Sequence, residues 1–338
     1  MPFISEILKY ASVSIAGMEK NTGKTETLNY ILQRVSKLNH CISVTSIGLD
    51  GEQSDQVTHT PKPAIKLYNG MIFTTSEKHY LERQLVSEVL HVSQKQTALG
   101  RLITAKVVLE GKITLSGPSE THILQEILDI HATLGAKTSL IDGALSRRSH
   151  ASPAISKALL LTTGAAFSFD INKLIHQTKY IIQLIDLEQV NTQTKHLLQS
   201  IENGIWGIDK NGQLRDLEIK TAFHFEEKKP NLLQYNTLFL AGVLQDKLLN
   251  FLRIQDNVKH IELIVNDFTK IFASETVLNA FLQKGGKIKT LYKTKIIALT
   301  VNPTSVQGYC LNSALLQQKL KDALQLPVYD VRTLNNNH

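Results

Sequence analysis

Short β-branched runs followed by longer helical patterns recur from the first residues onward, and that alternation is the mark of an α/β sheet. Ser12-Val13-Ser14-Ile15-Ala16 reads as a strand; after a polar loop, Thr25 to Leu38 sets Leu28, Ile31, Leu32 and Val35 on one helical face. Ile42 to Ile47 is the next strand. The runs Ala64 to Leu67, Met71 to Thr74, Val86 to Val92, Leu102 to Leu109 and Ile113 to Ser116 are strand-like with little helix between them, which predicts an antiparallel extension of the sheet. Helix returns over Glu120 to Leu134, strands over Thr138 to Ile141 and Ala158 to Leu161, and helix again over Asp170 to Ile185.

A polar, Gln/Thr-rich stretch from Gln189 to Ser200 reads as a boundary, dividing the chain into units over 1–190 and 201–334. In the second, Ile205 to Ile208 with the turn Asp209-Lys210-Asn211-Gly212 predicts a hairpin. Strands over Thr237 to Leu240, Glu262 to Val265 and Ile296 to Val301 alternate with helices over Gln245 to Leu252, Ser274 to Leu282 and Ala314 to Leu324. This predicts a second α/β layer, closed by Val328 to Val331.

Composition narrows the class. A length of 338 residues favours two units, and 42% hydrophobic against 20% charged residues supports a sizeable core. No apolar stretch approaches the roughly 20 residues that cross a bilayer, so no membrane partner is expected. Met1 to Tyr10 carries Glu6 and Lys9 and does not read as a secretory signal. Cys41 and Cys310 are too few for a disulfide scaffold, and each reads as a small packed residue. A cytoplasmic location is the expectation.

The net charge of +7 is uneven, and its densest basic stretch is Lys284, Lys287, Lys289, Lys293 and Lys295. Only Tyr292 is aromatic there, so the cluster reads as a solvated face or edge strand, and nucleic acid is not an expected partner. The histidines form no His-x-His or His-Glu-x-x-His group, and no Gly-x-Ser-x-Gly elbow occurs.

The strong chemical signal is Gly17-Met18-Glu19-Lys20-Asn21-Thr22-Gly23-Lys24-Thr25, between the first strand and the first helix. Gly23 lets backbone approach a phosphate, and the loop amides with the helix N-terminus make an anion cradle. Lys24 would reach the β- and γ-phosphates, and Thr25 would set its hydroxyl on magnesium. Gly17, Asn21, Thr22, Gly23, Lys24 and Thr25 are therefore the expected nucleotide-binding residues. In the pattern G-x-x-x-x-G-K-[ST] the first glycine falls at Met18, whereas here Gly17 comes one residue early. The alternative is a Gly-Lys-Thr that only ends a turn and caps a helix.

Partners should come from other strand ends. Asp142, after Leu140-Ile141, suits the acidic residue that holds magnesium through water, and otherwise reads as a cap or turn Asp. Asp50, with Glu52 and Asp55 beyond it, suits a catalytic or switch position, or equally a solvated acidic loop. Gly164 sits at a further strand end, where close approach to a ligand or to the phosphate loop needs a small residue. Arg147 and Arg148 would reach a γ-phosphate or form a surface pair. Guanine-specific proteins of this class use Asn-Lys-x-Asp. Asn172-Lys173-Leu174-Ile175 lacks the Asp, which favours ATP over GTP.

On these residues the chain resembles a P-loop NTPase family found beside adenosylcobalamin-dependent lysine and ornithine aminomutases, where it is regarded as an ATP-dependent reactivase. The resemblance rests on Gly17 to Thr25, on Ser46-Ile47-Gly48-Leu49-Asp50-Gly51-Glu52, and on Leu140-Ile141-Asp142-Gly143-Ala144-Leu145-Ser146-Arg147. The run from Ala151-Ser152-Pro153 to Thr163-Gly164-Ala165, and the distal Val301-Asn302-Pro303 with Pro327-Val328-Tyr329-Asp330-Val331, extend it. It implies a P-loop fold, ATP and Mg2+ as cofactors, an ATPase that drives damaged cobalamin from an aminomutase partner, and a second unit that contacts that partner. A homo-oligomer stays open, as does a small-molecule kinase or ATP-dependent ligase, for which no acceptor constellation is evident. A non-hydrolysing sensor is a third reading.

Overall fold

Apolar runs that are buried on both faces become the central strands. A computed structural model describes residues 2–48, 64–145, 151–152, 155–209, 211–220, 232 and 234–336. They form two units, one of residues 1–179 with 294–338 and the other of residues 180–293.

In the first unit, β1 (Ser12–Gly17) is buried along its whole length and lies between β7 (Thr138–Ala144) and β8 (Ala158–Gly164), parallel to both. β2 (Ile42–Ser46) pairs with β7, and β4 (Ile72–Ser76) with β2; on the other side β15 (Lys295–Asn302) joins β8 and β16 (Val328–Tyr329) joins β15, all in parallel. β6 (Gly100–Ile113) is antiparallel to β4, and both β3 (Ile65–Leu67) and β5 (Gln84–Thr97) pair antiparallel with β6. The sheet is thus mixed, mostly parallel with an antiparallel extension, as the strand-rich middle of the chain predicts.

Helices cover it with apolar stripes. α1 (Ile4–Ile7) buries Ile4 and Ile7. α2 (Lys24–Val35) buries Leu28, Ile31, Leu32 and Val35, the face read from the sequence. They pack with Val13, Ile15, Val44, Leu140 and Leu160 of the sheet in one core. Each such side chain, fully removed from water, contributes roughly 1.5–3 kcal/mol. The short α3 (Glu77–Leu81) links β4 to β5. α4 (Thr121–Thr133) buries Leu124, Ile127, Leu128 and also His131. His131 Nε2 bonds Thr74 Oγ1 at 2.7 Å while Nδ1 has no partner, and burial pushes its pKa down to about 4.

The second unit has its own sheet, in the order β11 (Leu214–Ile219), β10 (Ile205–Ile208), β12 (Thr237–Leu240), β13 (Glu262–Val265), β14 (Lys287–Thr290), β9 (Glu188–Gln189). The predicted hairpin is present as the antiparallel β10–β11 pair, and β12, β13, β14 and β9 run parallel. α6 (Thr192–Leu198), α7 (Asp246–Leu252) and α8 (Glu275–Gln283) belong to this unit, and α5 (Ile171–Ile185) begins in the first unit and ends in the second.

The division differs from consecutive units over 1–190 and 201–334. From Thr294 the chain returns to the first unit, so β15, α9 (Ser313–Leu324), β16 and α10 (Val331–Asn336) complete the first sheet rather than the second. The physical reason is that β15 is buried on both faces beside β8, and an apolar run does not encode which sheet receives it. The Gln/Thr-rich stretch lies inside the second unit rather than at a boundary. It holds β9 and α6, whose Asn191 side chain caps the helix by accepting from Thr194 N and whose Leu198 is fully buried. Ile113 to Ser116 is no separate strand, because β6 runs on through Ile113.

The lysine cluster is divided as well. Lys289 on β14 pairs with Glu262 at 3.0 Å and Glu188 at 3.6 Å, the Glu262 hydrogen bond raising its pKa, whereas Lys295 begins β15 in the first unit. Cys310 is exposed rather than packed. Among the described residues, no helix is long and apolar enough to cross a membrane.

Candidate functional site

β1 ends at Gly17 between two parallel neighbours, so the segment Met18 to Gly23 emerges from the middle of the sheet's carboxyl edge, where open α/β sheets collect ligands. Its path is fixed from β8 and β15. Met18 N donates to Thr162 O at 2.9 Å, and the buried Thr22 hydroxyl donates to Glu19 O at 2.8 Å and shares a 3.0 Å bond with Thr162 Oγ1. Asn302 Nδ2 donates to Asn21 O at 3.1 Å. Asn21 and Gly23 both have left-handed φ, 60° and 92°. A side chain at Gly23 would press on Asn302, its Cβ 3.0 Å from that of Asn302.

This bend leaves the backbone donors unspent. Among the described residues, the N–H groups of Asn21, Thr22, Gly23, Lys24 and Thr25 donate to no acceptor. They lie at the N-terminus of α2, where the helix dipole adds positive potential. Gly17 has a reason of its own: a Cβ there would come 2.8 Å from Thr22 Oγ1 and 2.9 Å from Lys24 Cγ. The glycine one residue early therefore makes room for the loop to fold over the strand end.

Lys24 opens α2 and sends its ammonium to Asp142 on β7, with Nζ 3.2 Å from Oδ1 and both side chains largely buried. Asp142 stands opposite Ile15 in the β1–β7 register. Its carbonyl accepts from Ile47 N at 3.0 Å and from Ser46 Oγ at 3.1 Å, which ties the end of β2 to the same spot. Its second carboxylate oxygen accepts nothing among the described residues, and the Thr25 hydroxyl has no partner among them.

The donor set therefore fits a phosphate group with a hard divalent cation: unspent amides and one ammonium for phosphate oxygens, a free hydroxyl and a carboxylate oxygen for the metal. Lys24, Asp142, Thr25, Gly17, Asn21, Thr22 and Gly23 are brought together as the sequence predicts. Thr22 contributes only its amide, since its hydroxyl is used inside the fold. Asp50, Glu52 and Asp55, and Arg147 and Arg148, lie outside the described residues. Asn172 and Lys173 sit in the first turn of α5, their amides capped by Asp170 Oδ1 at 2.8 and 3.3 Å.

Sequence reasoning missed two residues as individuals, Thr162 and Asn302. Asn302 gathers three loops: its side-chain amide holds Asn21, its carbonyl accepts from Ala165 N at 2.9 Å, and its Oδ1 accepts from Thr304 N at 3.2 Å. A side chain at Gly164 would overlap the Asn302 carbonyl, so the close approach at that glycine is to the neighbouring strand β15 rather than to a ligand or the phosphate loop. The available signal was a single amide ending a buried apolar strand. Compared with protein-family models, curated proteins and solved structures, the chain matches none of them.

Proposed function

We propose that this chain is a P-loop NTPase that binds ATP with magnesium over Gly17 to Thr25, and that its hydrolysis reactivates a cobalamin-dependent aminomutase by driving out damaged cofactor. The observation that carries the nucleotide part is the Lys24–Asp142 pair, 3.2 Å apart, which joins the start of α2, just after a loop of unspent amides, to the strand β7 beside β1. A turn that merely capped α2 would have no use for a largely buried ammonium and carboxylate at that point. The aminomutase part rests on the sequence resemblance.

Within this reading the amides of Asn21 to Thr25 and the Lys24 ammonium bind the phosphates, with Lys24 turning from Asp142 to the incoming anion. Thr25 would hold magnesium directly and Asp142 through water. Held there by Thr25 and Asp142, a magnesium ion would supply positive charge to offset that of the phosphates. Hydrolysis can drive cofactor release only if the ATP and ADP states bind the partner differently. Asp50 is the candidate for sensing that difference.

The test is a spectroscopic release assay with an aminomutase carrying inactive cobalamin. The expected result is faster ATP hydrolysis and cobalamin release with the wild-type chain, and neither with Lys24→Ala. Cobalamin that stays bound at every protein ratio would overturn the reactivase reading. Transfer of labelled phosphate to a small metabolite would move the assignment to a kinase or ligase.

A further inference from the structure

Two loops lie on the β8–β15 side of the phosphate loop at the carboxyl edge of the first sheet, and each carries an aromatic ring into solvent. Phe169 follows β8 and is 69% exposed; Tyr309 follows β15 and is 54% exposed. The two rings stack on each other, with centroids 5.6 Å apart and planes 25° apart. The other ring pairs, Phe3–Tyr30, Phe3–Tyr329 and Phe73–Tyr80, belong to the core. An aromatic pair built outside the core contributes little to stability, and large apolar groups held together in water mark a binding surface.

The position of this pair is fixed relative to the phosphate loop. Asn302 bonds Asn21 of that loop, and the same residue accepts Ala165 N from the segment leading to Phe169. Phe167 N bonds back to Gly164 O at 2.9 Å, so the β8 loop turns at once after the strand. On the other side, Thr304 N is held by Asn302 Oδ1, Ser305 N donates to Tyr309 O at 2.9 Å, and Tyr309 N is held by Ser305 Oγ at 3.1 Å. Ser305 is three residues beyond Asn302, a reach of at most about 10 Å. Tyr309 is thus tied back to Ser305, close along the chain to the Asn302 that holds the phosphate loop, and Phe169 is stacked on it.

We propose that Phe169 and Tyr309 form the base platform of the nucleotide site, on which the flat base of the bound nucleotide adds as a third stacked ring. This rests on the nucleotide-binding reading above and extends it from the phosphates to the base. Stacking accepts any base, because every base presents a π-face. The platform would therefore supply affinity for a nucleoside triphosphate over inorganic phosphate chains, without itself choosing between adenine and guanine. Neither ring is buried, so both can be removed without opening the core.

The experiment is calorimetric titration of the wild-type chain, Phe169→Ala, Tyr309→Ala and the double variant with MgATP and, separately, with magnesium tripolyphosphate. The expected result is that the double variant binds MgATP about tenfold or more weakly and tripolyphosphate as the wild type does. Tyr309→Phe, which keeps the ring, should behave as the wild type. A double variant that binds MgATP normally overturns the platform, as does one that loses both ligands equally. Wild-type protein that holds tripolyphosphate as tightly as MgATP also overturns it while leaving the phosphate site standing. Wild-type protein that binds neither ligand overturns the nucleotide reading itself.

Discussion

The Asn302 side-chain amide donates to the Asn21 carbonyl at 3.1 Å, joining residues 281 apart and fastening the phosphate loop to the end of β15. A loop that leaves five successive amides unbonded needs such a strap, since its left-handed residues have no ladder to hold them.

Removing the strap should therefore affect binding more than folding. A single hydrogen bond of this kind contributes about 1 kcal/mol, or roughly fivefold in affinity. Asn302→Ala and Asn302→Asp should each weaken MgATP binding by about that factor, the Asp variant because it keeps the acceptor for Thr304 N but loses the donor. Calorimetry on both variants checks this; unchanged affinity in Asn302→Asp would show that the bond to Asn21 is idle.

Gly164 faces the same residue from β8. Gly164→Ala should shift the Asn302 carbonyl and destabilise the first unit by about 1–3 kcal/mol, the usual cost of overpacking. Urea unfolding reads this directly, and a variant as stable as the wild type would mean that β15 can move aside freely.

Asp142→Asn keeps shape but loses the charge beside Lys24 and the strong metal-holding oxygen. Hydrolysis should fall further than MgATP binding does, measured as steady-state phosphate release beside a binding isotherm. Wild-type hydrolysis in this variant would reduce Asp142 to a structural partner of Lys24 and transfer the metal role to Asp50.

His131 gives a pH dependence unrelated to the site. Its folded pKa of about 4 lies below the usual value of 6.5, so the unfolded chain takes up the proton first. Stability should be full above about pH 6.5 and fall as pH drops toward 4, by up to about 3 kcal/mol. Urea unfolding at pH 7.5 and 5 tests this against His131→Gln, which retains a polar group for Thr74. An equal acid slope in wild type and variant would assign the dependence to other groups.

The β1–loop–α2 unit was legible because its three signals are local: a buried β-branched run, Gly-Lys-Thr, and an apolar stripe at helical spacing. Asp142 was legible as an acidic strand end. That it meets Lys24, 118 residues away, depends on β1 and β7 pairing, which no local pattern states. The lysines of β14 made it read as a solvated face or edge strand, whereas it lies between β13 and β9, with Lys289 neutralised by Glu262 and Glu188 of those strands. Asn302 and the sheet that receives β15 were not legible for one shared reason: both depend on the chain returning from the second unit to the first.

The nucleotide assignment turns on the Lys24 ammonium, so the most direct measurement is calorimetric titration of MgATP into the wild-type chain and Lys24→Ala, with circular dichroism to establish that both are folded. The expected result is saturable binding by the wild type and loss of most of that affinity in the variant at unchanged secondary structure. Equal MgATP binding by the two proteins would contradict the phosphate-loop assignment.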